Sequence, residues 1–300
     1  MSKKAELSVL IPNYNTVCLP LVRQLQSLLE SAAIPYEIIV ADDGSTDMQT
    51  IEANRPIATL TNCQYLIRPE NVGRAVIRNI LAQTAQYAFL LYIDSDLTVI
   101  SDQFIRRYID CLNESTTVID GGVSIQGDQI HILSGKNLRY LYEKAEEDNH
   151  TANRRQASPY QHLRTTNLLI RRDLMLQYPF DERFRLYGYE DVLLGKMLHQ
   201  HHVAILHIDN PIGICSFESN PEFVAKTEEG LRTLHQFRRD LRGYSRLLTF
   251  VSGIHISLIL SLIRLWHQLF QKAERRNLCG SRPSLLVYKL YRLGYYLCLE

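Results

Sequence analysis

Short apolar runs of β-forming residues recur along the first third of the chain, at residues 7–11, 36–41, 64–67 and 88–93. Helix-compatible stretches separate them, at 19–31, after Asp47 and at 73–84. That alternation predicts right-handed βαβ units and a mostly parallel sheet with helices on both faces. No internal repeat or low-complexity linker interrupts the rhythm.

Composition adds a division. Three hundred residues with 46% hydrophobic content bury one large core with room for an appendage, and 22% charged residues exclude wholesale disorder. The net charge of +1 hides an asymmetry: residues 231–300 carry twelve Lys and Arg against three Asp and Glu, a balance of +9 that leaves −8 for residues 1–230. The expected organisation is an α/β domain over 1–230 and a basic, amphipathic helical region over 231–300, with a cation site in the first and an anionic contact on the second. The six cysteines are scattered without a Cys-x-x-Cys pair, against a zinc ribbon or a redox pair. Residues 1–6 show no apolar signal region, so a cytoplasmic body is expected. Nucleic acid is not an expected partner.

The ends of two strands hold the candidate chemistry. The second run ends in Asp42-Asp43-Gly44-Ser45 and the fourth in Asp94-Ser95-Asp96. In open α/β sheets the ligand crevice lies beyond the carboxyl ends of the strands, so both acidic groups reach the same edge. Asp and Ser in these places also cap helices, but four clustered carboxylates repel unless a cation or donors accompany them. Neither G-x-G-x-x-G nor G-x-x-x-x-G-K-[ST] occurs, so a glycine loop does not hold an anion. Carboxylates without such a loop point to a divalent cation, Mn²⁺ or Mg²⁺, bridging protein to diphosphate.

Taken in order, Ser8-Val9-Leu10-Ile11-Pro12-Asn13-Tyr14-Asn15, Val40-Ala41-Asp42-Asp43-Gly44-Ser45-Thr46-Asp47, Asn71-Val72-Gly73-Arg74 with Arg78-Asn79, Asp94-Ser95-Asp96, Thr165-Thr166-Asn167 and Gly188-Tyr189-Glu190-Asp191 resemble family 2 glycosyltransferases of the GT-A fold. The likeness covers roughly residues 7–220. It implies that Pro12, Tyr14 and Asn15 form the nucleotide loop, that Asp42 and Asp43 contact base and ribose, and that Asn71 and Gly73 pack beside the nucleotide. Arg68 and Arg74 are candidate diphosphate or base contacts. Asp94, Ser95 and Asp96 bind the donor and Asp94 and Asp96 serve the metal, Asp96 holding the cation while Asp94 contacts the ribose and the metal's water shell, and Asn167 faces donor sugar and acceptor. Asp191 is the implied base and Glu190 orients the acceptor. An acidic neighbour at Glu190 tends to raise the pKa of Asp191, although carboxylates in a first helical turn also complement the helix dipole without catalysing. The implied reaction is inverting transfer from a nucleotide-sugar, a UDP-sugar foremost, to a saccharide or lipid-linked saccharide.

One position departs from the pattern. Many members carry a metal-binding His after the strand that follows the Glu-Asp helix, and Ile214 stands there, with His207 earlier and better suited to a structural role. A non-catalytic nucleotide- or glycan-binding relative is therefore a rival reading. A sugar nucleotidyltransferase is a weaker one, since Pro12-Asn13-Tyr14-Asn15 supplies no glycine- and basic-rich loop. In the tail, residues 247–263 and 285–299 are apolar with basic edges, which suits helices lying on the anionic inner face of the cell membrane or packing on the domain.

Overall fold

The computed structural model describes residues 5–125, 135–254 and 257–299. The readings made on residues 1–4 and on His255 lie outside them.

Strands β1 (Leu7–Asn13), β2 (Tyr36–Asp42), β3 (Cys63–Ile67) and β4 (Phe89–Ile93) form where the apolar runs predict them. Between them run α1 (Leu19–Ala32), α2 (Met48–Asn54) and α3 (Arg74–Thr84). Every residue of β2 is buried, and β1 is nearly so; a strand with no wet face belongs inside a sheet covered on both sides. One apolar layer of that sheet takes Leu10, Ile39, Leu90 and Tyr92 with α3, and the other takes Val9, Ile11, Val40 and Leu91 with α1.

After β5 (Leu97–Thr98) and α4 (Phe104–Cys111), the chain continues through β6 (Val118–Asp120), β7 (Val123–Ile125), α5 (Leu138–Glu146), α6 (Ala152–Gln156), β8 (Asn167–Arg171), α7 (Arg172–Gln177), α8 (Glu190–Gln200), β9 (Ile205–His207) and β10 (Ile212–Ile214). The main sheet has seven strands in the order β3-β2-β1-β4-β8-β6-β9, and a second has three in the order β5-β10-β7. The main sheet is mostly parallel; only β8 opposes its neighbours β4 and β6. The chain leaves β1 toward β2 and β3 and returns on its other side at β4, which makes the β1/β4 carboxyl ends a topological switch point.

Four helices complete the described chain: α9 (Asn220–Gln236), α10 (Arg246–Gly253), α11 (Ser257–Cys279) and α12 (Leu285–Leu299). The division expected at residue 230 falls inside α9, because its buried residues Gly230, Leu231 and Leu234 continue the apolar face across that point. Helix α12 does not project away: Tyr296 joins the main core, and Tyr288 and Tyr291 pack with Leu138, Phe223 and Leu278. Helix α11 lies against α12 so closely that a Cβ at Gly294 would stand 2.5 Å from the His267 Cβ. Its far side is bare, with Leu258, Leu262, Leu265, Trp266, Leu269 and Phe270 exposed in a stripe at helical spacing. Among the described residues, no helix is long and apolar enough to cross a membrane.

Candidate functional site

The switch point opens into a crevice of about 670 Å³. Its first wall is built by the ends of β1 and β2. Asn13 and Asp42 are paired in register, and the Asn13 Nδ2 donates to Asp42 Oδ2 at 3.1 Å. Asp42 is wholly buried and also accepts from the Ser45 amide (2.8 Å), the Ser45 hydroxyl (2.9 Å) and the Tyr65 hydroxyl (3.0 Å). Asp43, one residue on, faces the other way and lines the crevice. It accepts from the Val72 and Gly73 amides at 3.0 and 3.1 Å, which ties the loop after β3 to the strand end. Burial lifts its pKa above the ordinary range in spite of these donors and nearby Arg68. Gly44 permits the junction, since with φ 71° an added Cβ would stand 2.5 Å from the Asn71 amide nitrogen.

The second wall follows from the direction of β8. Because β8 opposes β4, its first residue Asn167 pairs with Ile93, and Thr165 and Thr166 are delivered beside Asp94. The Asp94 amide donates to the Thr166 carbonyl at 3.3 Å. Asp94, Ser95 and Asp96 all line the crevice. Across it, α3 presents Arg74 and Arg78 four residues apart, on one face. The Arg78 guanidinium is 2% exposed and donates at 2.9 Å both to Asp94 Oδ1 and to Glu190 Oε1. Burial opposes ionisation of Asp94, but Arg78 and Arg74 hold its carboxyl below the usual range. Asp96 lies at the mouth, reached by solvent yet flanked by crevice walls; partial desolvation and the Asp94 charge push its pKa up.

The third wall is the segment before α8. Gly188 (φ 90°) and Tyr189 (φ 71°) are both left-handed, and the resulting reversal sets Glu190 and Asp191 in the first turn of the helix, facing the crevice. Tyr189 occupies a conformation that a bulky side chain adopts only under outside constraint. Helix α9 supplies part of that constraint: Glu229 accepts from the Tyr187 amide (3.0 Å) and the Thr233 hydroxyl donates to the Tyr187 carbonyl (3.0 Å). Glu190 Oε2 is buried with no hydrogen-bond partner among the described residues. Burial and the Glu190 charge together push Asp191 up to about 7.

The crevice thus gathers Pro12, Tyr14, Asp43, Asn71, Gly73, Arg74, Asp94, Ser95, Asp96, Glu190 and Asp191. Asp42, Asn15, Arg68 and Asn167 do not line it. Asp42 is occupied by the donors described above. The Asn15 side chain accepts from the Thr46 and Asp47 amides at 2.8 and 3.0 Å and shapes the loop. The Arg68 amide closes onto the Asp42 carbonyl at 3.0 Å. Asn167 is buried behind the wall, accepting from the Tyr108 hydroxyl (2.7 Å) and donating to the Gly122 and Asn210 carbonyls. Sequence reasoning named Arg78 only within a motif; its spacing from Arg74 was the available signal. It did not foresee Arg139 and Tyr142 of α5, Lys226 of α9 or Arg292 of α12, which all face the crevice.

A divalent cation fits the donor set in part. Asp94 keeps Oδ2 clear of Arg78, and Asp96 makes no side-chain ion pair among the described residues. Those residues contain no cluster of three His, Cys, Asp or Glu arranged for a metal, so diphosphate and water would complete the coordination. Strand pairing sets Ile214 opposite Leu97, one residue beyond Asp96, where it lines the crevice with no donor atom. His207 lies elsewhere, buried and bonded to Arg155 at 2.8 Å and to the Pro159 carbonyl at 3.0 Å.

Residues 8–178 match the family model described as Glycosyl transferase family 2. An uncharacterized glycosyltransferase of Haemophilus influenzae is 28% identical over 139 residues, covering 45% of this chain and 55% of that protein. The chain spans about half the length, or less, of the curated relatives it matches. Among solved structures, a mannosyltransferase of Pyrobaculum calidifontis in complex with GDP-Man and Mn²⁺ superposes with a TM-score of 0.56 at 12% identity, over 99% of this chain and 86% of that one. S. aureus TarS 1-349 gives 0.51 at 17% identity, over 99% and 90%.

Proposed function

The chain belongs to glycosyltransferase family 2, and from that premise we propose that it transfers a sugar, with inversion, from a nucleotide-sugar to a hydroxyl of a glycan or lipid-linked saccharide. The observation that carries this reading is the Arg78 bridge, which holds the Asp94 carboxylate beside Glu190 and Asp191 in one crevice.

The division of labour follows from charge. Asp94 and Asp96 would hold a divalent cation, whose charge offsets that developing on the departing nucleoside diphosphate. Arg74 and Lys226, which both stand over the Tyr187 ring at 4.7 and 6.0 Å, are further cations on that side. An acceptor hydroxyl is too weak a nucleophile unless its proton leaves as it attacks. Asp191, raised to about 7, suits that proton: it is ionised at or just above neutral pH and basic enough to accept. As the hydroxyl oxygen bonds to the anomeric carbon from one face, the bond to diphosphate oxygen breaks on the other. Glu190 Oε2, which has no hydrogen-bond partner among the described residues, would accept from a second acceptor hydroxyl and fix its angle. Two structural neighbours lend support through their ligands: the P. calidifontis enzyme holds GDP-Man and Mn²⁺, and TarS 1-349 has been solved with UDP-GlcNAc. A UDP-sugar is our first choice of donor.

We assign the work to the cytoplasmic face of the membrane. The bare stripe on α11 shares its helix with exposed Arg264, Lys272 and Arg276, and exposed Arg282 and Lys289 follow in the chain, so apolar insertion and attraction to anionic lipid would act together.

The test is nucleoside diphosphate release from UDP-glucose, UDP-GlcNAc and GDP-mannose with Mn²⁺. Release from one donor, lost in Asp191→Asn when acceptor is required, is expected. No release from any donor by the intact protein would favour a binding relative, a reading to which Ile214 lends its weight.

A further inference from the structure

Among the cations that line the crevice, Arg78 pairs with Asp94 and Glu190, Arg139 and Arg164 with Glu143, and Lys226 with Glu218, while Arg74 lies in the field of Asp94, Glu190 and Asp96 and Arg185 is exposed to solvent. Arg292 of α12 lines the same crevice and has no carboxylate partner among the described residues. Its guanidinium stands 5.9 Å from the Tyr142 ring centre and 5.5 Å from that of Tyr288. Tyr189, the residue before Glu190 and Asp191, lies against it as well. These neighbours are phenols, and burial pushes Tyr288 up to about 12, so no anion among them answers the charge. A guanidinium stays protonated in any protein setting. Ring faces and hydrogen bonds to the Tyr142 and Tyr189 hydroxyls stabilise it, but two neutral acceptors do not fill a five-donor fork. A half-buried cation kept without a counter-ion is costly unless its partner arrives with the ligand.

We infer that Arg292, framed by Tyr142, Tyr189 and Tyr288, is an anion-recognising subsite on the acceptor side of the crevice, and that the acceptor saccharide carries an oxyanion, a carboxylate or a phosphate. This rests on the transferase reading. The side follows from position. The donor side is marked by Asp43, Asp94 and Asp96 at the strand ends, whereas Arg292 touches Tyr189, the residue directly before Glu190 and Asp191. An oxyanion seated there, in the crevice that Asp191 also lines, would orient the attacking hydroxyl. The tyrosine rings suit the apolar face of that sugar.

The experiment measures thermal protection of the full chain, in the presence of UDP and Mn²⁺, by sodium glucuronate, glucose 6-phosphate, inorganic phosphate and glucose. Glucuronate or glucose 6-phosphate should protect at about tenfold lower concentration than glucose, the order expected for a charge-assisted guanidinium contact; the better of the two identifies the oxyanion. Arg292→Gln should remove that margin while shifting the UDP dissociation constant less than twofold, and Arg292→Lys should keep part of it. Melting temperatures of both variants without sugar show whether they fold. Equal protection by glucose, protection by inorganic phosphate as strong as by glucose 6-phosphate, or an Arg292→Gln effect confined to UDP would each overturn the assignment. Failure of the transferase reading shows separately, as no nucleotide release from any donor while the protection pattern is still measured.

Discussion

Arg78 and Glu190 stand 112 positions apart in the chain and 2.9 Å apart in the fold, with Arg78 also gripping Asp94 at 2.9 Å. One guanidinium therefore fixes the distance between the carboxylate at the end of β4 and the Glu190-Asp191 pair at the start of α8. Removing it leaves two carboxylates facing each other in a poorly solvated wall. Arg78→Met should lower stability by about 3–5 kcal/mol, the usual cost of stranding a buried charge. Urea unfolding measures it, and a loss under about 1 kcal/mol would mean that the bridge is not what sets this geometry.

Asp191→Asn should lower kcat by about 10²–10⁴, the range for losing a positioned base, with little change in donor KM. In the wild type the rate should rise with pH through about 7, as Asp191 loses its proton, and that inflection should vanish in the variant. The sign for stability is the reverse. A carboxyl raised in the folded state binds more protons than the unfolded chain between about 4 and 7, so its contribution to stability falls as pH rises through that window. Asp191→Asn should thus melt no lower than wild type at pH 8; a clear drop there would argue against a raised Asp191.

Asp96→Ala should remove the Mn²⁺-dependent part of donor binding. At a nucleotide-sugar concentration about a hundred times the dissociation constant, the wild type gains about 2.7 kcal/mol. Chelating the metal from the wild type and substituting Asp96 should each erase most of the Mn²⁺ increment, and should not add. An undiminished increment in Asp96→Ala would place the cation elsewhere.

Gly44→Ala forces a Cβ against the backbone at residues 70 and 71 from a left-handed backbone. The loop carrying Asn71 and Gly73 must then move away from Asp43. The cost should exceed about 1 kcal/mol, and donor KM should rise more than kcat falls. An unchanged KM would detach this loop from the donor.

Leu262→Glu with Leu269→Glu should abolish sedimentation with phosphatidylglycerol vesicles at low salt and leave the melting temperature nearly unchanged, because both side chains already face solvent. Binding that survives the substitutions would remove α11 from the membrane contact.

The sheet was legible because its strands, buried on both faces, read as unbroken apolar runs with acidic residues directly after them. β2 kept this signal through Asp42. Which of Asp42 and Asp43 faces the crevice was not legible: neighbouring residues at a strand end point opposite ways, and the choice depends on Asn13, Ser45 and Tyr65 arriving from elsewhere. Arg78 was hidden for a related reason, since its partners lie on two distant segments. In the tail, the choice between packing on the domain and lying on a membrane was not legible. Residues 285–299 have the apolar and basic content of a membrane-surface helix, yet Tyr288, Tyr291 and Tyr296 are buried against α9 and the core, and Arg292 turns inward. Composition records that a face is apolar and does not record what covers it.

The stripe on α11 carries one more consequence, through Trp266. It is the chain's single tryptophan, it is 51% exposed, and its ring lies 4.2 Å from that of Phe270 while its indole N–H is held by Glu274 at 3.0 Å. All indole emission from this protein therefore originates on one face of one helix. The colour of that emission and its access to iodide report whether water or something drier lies over the stripe, with no label attached and no second indole to subtract.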